Sequence, residues 1–277
     1  MNKVYPYLIF GLIITSVLVE IQKSEIEAIQ KDNVIISFSF DDNFKTHIMA
    51  LNEMQKYGYN GTLGIIVGSL NANQNNTLTI DDINRFKSSG WEIASHSMLH
   101  KDMSKNNDEQ IEYELSESKK YFEKINISVD TYIYPSGKIN DTVARITKKY
   151  YKIGRATCFN DENNVLIYRK GLSYDQIEKQ CINTNNVSDF KIKSIGLSDS
   201  VYSPLELKSI LSNANYQKQP VWLDFHFHKI VDNVTQSNFE LSSKNFKEIL
   251  KIMNDGNITV RTIKDGHDLY EEKAGPQ

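Results

Sequence analysis

The hydrophobic pattern changes period repeatedly along the chain. "VIISFSF" (34–40) is β-branched and aromatic, which predicts a buried strand. In "THIMALNEMQKYG", Ile48, Leu51 and Met54 recur at helical spacing, and Gly58 suits the stop. "GTLGIIV" predicts the next strand. "TIDDINRFKSSG" predicts a helix with Thr79 as N-cap, Asp81 and Asp82 in the first turn, and Gly90 at the end. "WEIAS" is a short strand running into "HSMLH". A charged helix follows in "NNDEQIEYELSESKKYFEKIN", with an apolar seam at Ile111, Leu115 and Phe122. "VDTYIYP", "NDTVARITKKY" and "YKIGRAT" read as strand, helix and strand. Residues 159–200 carry only weak strand signals and Asn-rich turns. "SPLELKSILSNA" is a helix with Ser203 as cap and Pro204 at its first position. "PVWLDFHFHKI" is a strand, "SSKNFKEILKIMNDG" a helix, "NITVRTI" a strand, and the tail a short helix.

Regular alternation of strand and helix argues for parallel strands with helices outside, an α/β class. About seven such units suit a closed or nearly closed (β/α) barrel better than an open sheet. No glycine-rich phosphate loop follows the first strand, which weakens a nucleotide-binding reading. Two strands alternate cleanly. Val221, Leu223, Phe225 and Phe227 face one way, and Trp222, Asp224, His226 and His228 the other. Ser37, Ser39 and Asp41 oppose Ile36, Phe38 and Phe40. The polar faces are expected to line the barrel interior and end at a site.

The first 28 residues differ from the rest. "MNKVYPYLIFGLIITSVLVE" has an early lysine and then about fifteen mostly apolar residues, short of the ~20 that span a bilayer comfortably. We expect residues 1–28 to be a signal peptide or an uncleaved N-terminal membrane anchor, and residues 29–277 to be one catalytic domain. The protein is then exported, secreted or held at the outer face of the membrane, with membrane contact only through this segment. Cys158 and Cys181 are the only cysteines; the sequence leaves their pairing open. A net charge of -3 over 277 residues and no basic patch with interleaved aromatics argue against nucleic acid as a partner.

In β/α barrels chemistry gathers at the C-terminal ends of the strands. Three strands end in suitable side chains. The first ends in the adjacent carboxylates Asp41 and Asp42. "WEIAS" ends in His96 and His100, four residues apart, which on a helical turn would share a face and converge on one ion. The late strand ends in His226 and His228. Two imidazoles and one carboxylate form a common metal-hydrolase ligand set, and either Asp42 or Asp41 can supply the carboxylate. The carboxylate that does not bind the cation is then free to accept a proton.

Taken together and in this order, "SFDDN", "SHSMLH", "YPSG" and "FHFHKI" resemble the motifs of the polysaccharide deacetylase family, the NodB-homology domain, over roughly residues 33–265. The resemblance implies a distorted (β/α) barrel of about seven units. It implies a divalent metal, zinc or else Co2+ or Ni2+, held by Asp42, His96 and His100. Asp41 becomes the general base. His228 becomes the general acid, with His226 in reserve on the same face. The reaction implied is hydrolysis of an N-acetyl group on an amino sugar of a cell-surface or extracellular glycan. The backbone N–H of Ser136, after Tyr134 and Pro135, would face the oxyanion. Asp224 and Trp222, on the inward face of the last motif, are candidates to support these groups.

The sequence departs from the family pattern in places. Asn43 stands where the first motif usually ends in Gly, and Asn tolerates the positive φ that such a position needs. "TYIYPSG" lacks the usual Arg that orients the base, Ser136 replaces an aromatic, and residues 159–200 show no Asp-Trp motif. Arg155 and Arg169 are the candidates to replace the missing Arg. Two other readings stand beside deacetylation: a metallo-hydrolase of the same fold cleaving another non-peptide C–N bond, and a glycan-binding homologue without turnover.

Overall fold

Strand β1 (Val34–Phe40) is almost entirely buried, as its β-branched and aromatic run requires. In this computed structural model, described for residues 33–275 apart from 71, 73–74, 161–164, 167–180, 185–187, 216, 218 and 236, β1 is the hub of the sheet. It pairs along its whole length with β9 (Val221–Phe227), from Val34 opposite Val221 to Phe40 opposite Phe227. Its other edge is shared. The lower half pairs with β12 (Val260–Arg261) and the upper half with β2 (Thr62–Ile65). From β2 the sheet runs through β3 (Glu92–Ser95), β4 (Thr131–Ile133), β5 (Ile153–Thr157) and β8 (Ile192–Gly196) to β9, all parallel, and closes on β1. Seven strands thus form a closed barrel. The shared edge of β1 splays β2 from β12 and distorts it. A two-stranded hairpin, β6 (Phe159–Asn160) and β7 (Val165–Leu166), lies outside this sheet, as do β10 (Lys229–Val231) and β11 (Glu240–Ser242).

The helices cover the barrel: α1 (His47–Gln55), α2 (Ile80–Ser88), α3 (Asp108–Lys124), α4 (Asp141–Thr147), α5 (Pro204–Ala214), α6 (Ser243–Asp255) and α7 (Ile263–Ala274). Their starts follow the sequence signals. Thr79 and Asp82 form a reciprocal capping box on α2, and Ser203 with Glu206 does the same on α5 around Pro204. Gly58 and Gly90 have the positive φ that the chain needs after α1 and α2.

Strand parity sorts the side chains into two cores. Outward residues such as Phe38, Phe40, Leu223 and Phe225 pack beneath the helices. Inward residues form a second cluster of Ile35, Ala94, Ile133, Ile153, Ile192 and Trp222, closed from below by Ile263 and Tyr270 of α7. Above this apolar plug the interior turns polar, with Ser39, Arg155, Ser194 and Asp224 all buried. Residues 1–28, and with them the signal or anchor segment, lie outside the described residues, as does Arg169. Among the described residues no helix is long and apolar enough to cross a membrane.

Candidate active site

β1 delivers Asp41 and Asp42 at its C-terminal end, and the backbone there is unusual. Asp42 and Asn43 both have positive φ, 74° and 56°. This left-handed pair re-aims the chain immediately after Asp41, whose N–H is still bonded to the carbonyl of Phe227 at 2.9 Å. Asn43 does more than tolerate the conformation. Its Nδ2 donates to the carbonyl of Ile66 at 2.7 Å, and its Oδ1 accepts from the N–H of Ile66 at 2.9 Å. The rim of β1 is thereby pinned to the segment after β2, a task a glycine could not perform.

β3 delivers His96. Its Nδ1 donates to the carbonyl of Ile133 at 2.8 Å, so Nε2 carries the lone pair and faces the cavity. The sequence predicts a helical turn between His96 and His100. The structure corrects this: the segment is not helical, and Ser97 and His100 both have positive φ, 74° and 57°. The two reversals fold the turn back on itself and bring the rings to 4.7 Å between centroids. Proximity is achieved by a tighter bend than helical spacing supposes.

Asp42 meets both histidines. Its Oδ1 lies 3.4 Å from His96 Nε2 and 3.3 Å from His100 Nε2. That oxygen is buried and has no hydrogen-bond partner among the described residues, which ordinarily costs stability. The donor set fits a cation. Ligands at ~2.0–2.1 Å in a tetrahedron stand about 3.3 Å apart. Burial works against ionisation of Asp42, but His96 and His228 outweigh it and draw the carboxyl down to about 2.

Asp41 is held differently. Arg155, reaching across from β5, donates Nη2 to both Asp41 oxygens at 2.6 and 2.7 Å. Burial would raise the carboxyl, yet Arg155 and the neighbouring histidines hold it far below the usual range. Asp41, His226 and His228 also bring ligand atoms within 4.8 Å of one another, but both Asp41 oxygens are engaged by Arg155, so Asp42, His96 and His100 are the better cation set. Arg155 Nε lies 3.5 Å from Asp224, which in turn accepts from Ser39 Oγ at 3.1 and 3.2 Å. Burial pushes Asp224 up to about 7, only partly offset by Arg155. Two carboxyls therefore share one guanidinium, and Asp41 is the one kept ionised.

The structure brings the remaining predicted residues together unevenly. His228 lies on the cavity wall, its Nε2 3.8 Å from Asp42 Oδ2. His226 is deeper. Ser194 Oγ donates to the carbonyl of Ala156 and so accepts from His226 Nδ1 at 2.9 Å, leaving His226 Nε2 as an acceptor. Ser136 lines the same cavity with φ 57°, directly after Pro135 and Tyr134. Trp222 does not reach the site: it sits in the apolar plug and donates Nε1 to Ser37 Oγ at 3.0 Å. The cavity is about 310 Å3, with Thr157 and Gly137 in its wall and Phe44, Lys229 and Phe239 among the other lining residues. Sequence reasoning named Arg155 as a substitute but missed its tie to Asp224. The signal was the inward parity of both residues.

The family model for polysaccharide deacetylases matches residues 28–152. No curated protein matches the chain. Among solved structures, the fold is similar to the Xyl-CE4 domain of a multidomain xylanase from the hindgut metagenome of Trinervitermes trinervoides, at TM-score 0.51 and 17% identity over 85% of this chain and 89% of that one. It is similar to the peptidoglycan deacetylase PdaC from Bacillus subtilis (mutant D285S), at TM-score 0.50 and 13% identity over 86% and 91%. A third similar structure is BA3943 from Bacillus anthracis, described as a CE4 family pseudoenzyme, at TM-score 0.51 and 14% identity over 88% and 67%. At such identities these likenesses speak to the fold alone. The matched segment contains Asp41, Asp42, His96 and His100, so the part of the chain that carries them is similar to the polysaccharide deacetylase family.

Proposed function

We propose that the protein is a metal-dependent deacetylase that removes N-acetyl groups from amino-sugar residues of a glycan outside the cytoplasm. The observation that carries this reading is the division of labour between adjacent carboxylates. Asp42 joins His96 and His100 around a cation-sized gap, while Arg155 holds Asp41 ionised beside it. A pure binding site has no need of a locked base next to a ligand set.

Asp42, His96 and His100 would hold the ion, and two imidazoles with one carboxylate suit zinc, with Co2+ and Ni2+ as substitutes. When bound, it would acidify a water and polarise the amide carbonyl. Asp41 accepts the proton of the attacking water as its oxygen bonds to the carbonyl carbon. The N–H of Ser136, which makes no backbone hydrogen bond among the described residues, is available to the developing oxyanion. The C–N bond then breaks, and His228 delivers a proton to the departing nitrogen. Burial lowers the basicity of His228, which makes its protonated form a ready donor. Acetate and a free amine result.

The apolar stretch Tyr5 to Val19 and the disulfide between Cys158 and Cys181 support a site of action in an oxidising compartment. The test is acetate release from a panel of N-acetylated glucosamine oligomers, with metal removed by chelator and then restored. Release that disappears and returns supports the reading. Glycan binding without any acetate release would instead support a non-catalytic homologue.

A further inference from the structure

We propose that Glu114, a buried carboxylate on the outer helix α3, is a positioning residue for the cation ligand His100. It touches neither His96 nor His100, and nothing in the sequence motifs points to it. The inference rests on the proposed metal site and adds a residue to it.

The turn from Ser97 to His100 is held in a conformation that L-residues seldom adopt, with positive φ at both ends. Such a turn persists only if its surroundings over-determine it. One side is tied to the segment after β2, where Val67 N–H donates to the carbonyl of Ser97 at 3.1 Å and Gly68 N–H to that of Met98 at 2.8 Å. Inside the turn, His100 N–H donates to Ser97 Oγ at 2.7 Å. The N–H between these, that of Leu99, donates to Glu114 Oε2 at 2.7 Å. Glu114 is 1% exposed, and its other oxygen has no hydrogen-bond partner among the described residues. A helix on the outer layer rarely buries a carboxylate for a single hydrogen bond to a backbone N–H. The location explains it: the bond fixes the peptide immediately before His100. The Leu99 side chain is exposed and supplies little packing to hold the turn in its place.

Three proteins test this: wild type, Glu114→Gln and Glu114→Ala. Zn2+ affinity is read by chelator competition, and amide exchange at Leu99 and His100 is followed in the metal-free proteins. Glu114→Gln keeps an acceptor for Leu99 N–H and should bind Zn2+ within about threefold of wild type. Glu114→Ala should bind about 10- to 100-fold more weakly, the range for loss of a group that orients a ligand. Its Leu99 amide should also exchange at least about tenfold faster while Val67 and Gly68 stay protected. Equal affinity in wild type and Glu114→Ala would overturn the proposal, as would Glu114→Gln falling with Glu114→Ala, which would mark a charge effect. Should Glu114→Ala fail to fold, free exchange of Leu99 in metal-free wild type would overturn it alone. A wild type that binds no Zn2+ would instead refute the metal site itself.

Discussion

Arg155 places one positive charge between two buried carboxyls, and the two depend on it unequally. Asp41 is fully engaged by Nη2, whereas Asp224 is already pushed up to about 7 and meets only Nε, at 3.5 Å. Arg155→Gln should therefore cost about 3–5 kcal/mol of stability, because it strands the ionised Asp41 in the interior. Asp224→Asn should cost about 1 kcal/mol or less, since its hydrogen bond from Ser39 can be kept. Urea unfolding of both variants decides it, and equal costs would show that the guanidinium serves the two carboxyls alike. This pairing was half legible. Inward parity placed Asp224 in the barrel and Arg155 was named as a replacement for the missing Arg, but residues 69 apart on non-adjacent strands leave no local trace of their contact. His47 offers a second test. It is buried on α1, donates Nε2 to the carbonyl of His228 at 2.6 Å, and burial lowers its pKa from the ordinary 6.5 to about 4. Between these values the unfolded chain binds a proton that the folded protein refuses. Stability from this group is thus complete above about pH 6.5 and falls as pH drops toward 4, by up to about 3 kcal/mol. His47→Gln should lose correspondingly less between pH 6.5 and 4 in the metal-free protein. Parallel stability curves would contradict a neutral, buried His47.

The helices show which features a local pattern encodes. Caps depend on residues three apart, so Thr79 and Ser203 were readable, and both form capping boxes. Thr79→Ala should cost about 1 kcal/mol, read as a lower urea midpoint at unchanged slope. The HxxxH segment shows the opposite. Four-residue spacing correctly paired the two imidazoles, but a helical period was the wrong reason, because the bend depends on partners from β2 and α3 that spacing does not contain. Strand β2 carries a comparable hidden constraint at Gly64. A Cβ there would stand 2.9 Å from Ile133 Cδ1 and 3.2 Å from Asp41 Oδ1. The glycine lets the strand pass close beneath the carboxylate. Gly64→Ala should displace Asp41 and lower kcat by at least about tenfold, since small misplacements of a catalytic group are costly. Zn2+ affinity should hold within about threefold, because the added methyl meets Ile133 and Asp41 and none of the three ligand side chains. A parallel loss of both would place the damage in the fold as a whole.

The order of elements was readable along the whole molecule, but its closure was not. β1 and β9 are more than 180 residues apart, and only their matching inward faces suggested that they meet; register and the splayed edge with β12 follow from packing in the round. The stretch 159–200 stayed opaque because Asn-rich turns carry no period, and yet it contains one end of the only covalent tie across the chain. Cys158 leaves β5 directly after Thr157, a residue of the cavity wall, and is bonded to Cys181 across a sequence separation of 23. Closing a loop of that length should stabilise the folded protein by about 3 kcal/mol, chiefly by restricting the unfolded chain. The cation ligands come from the ends of β1 and β3, neither of which pairs with β5 or β8. Reduction, or the double substitution Cys158→Ser with Cys181→Ser, should therefore lower the unfolding free energy from urea titration by that amount and leave Zn2+ affinity within about twofold. If affinity fell in step with stability, the metal site and the disulfide-bounded segment would be one cooperative unit, and the barrel could not be treated as a rigid frame that supports them separately.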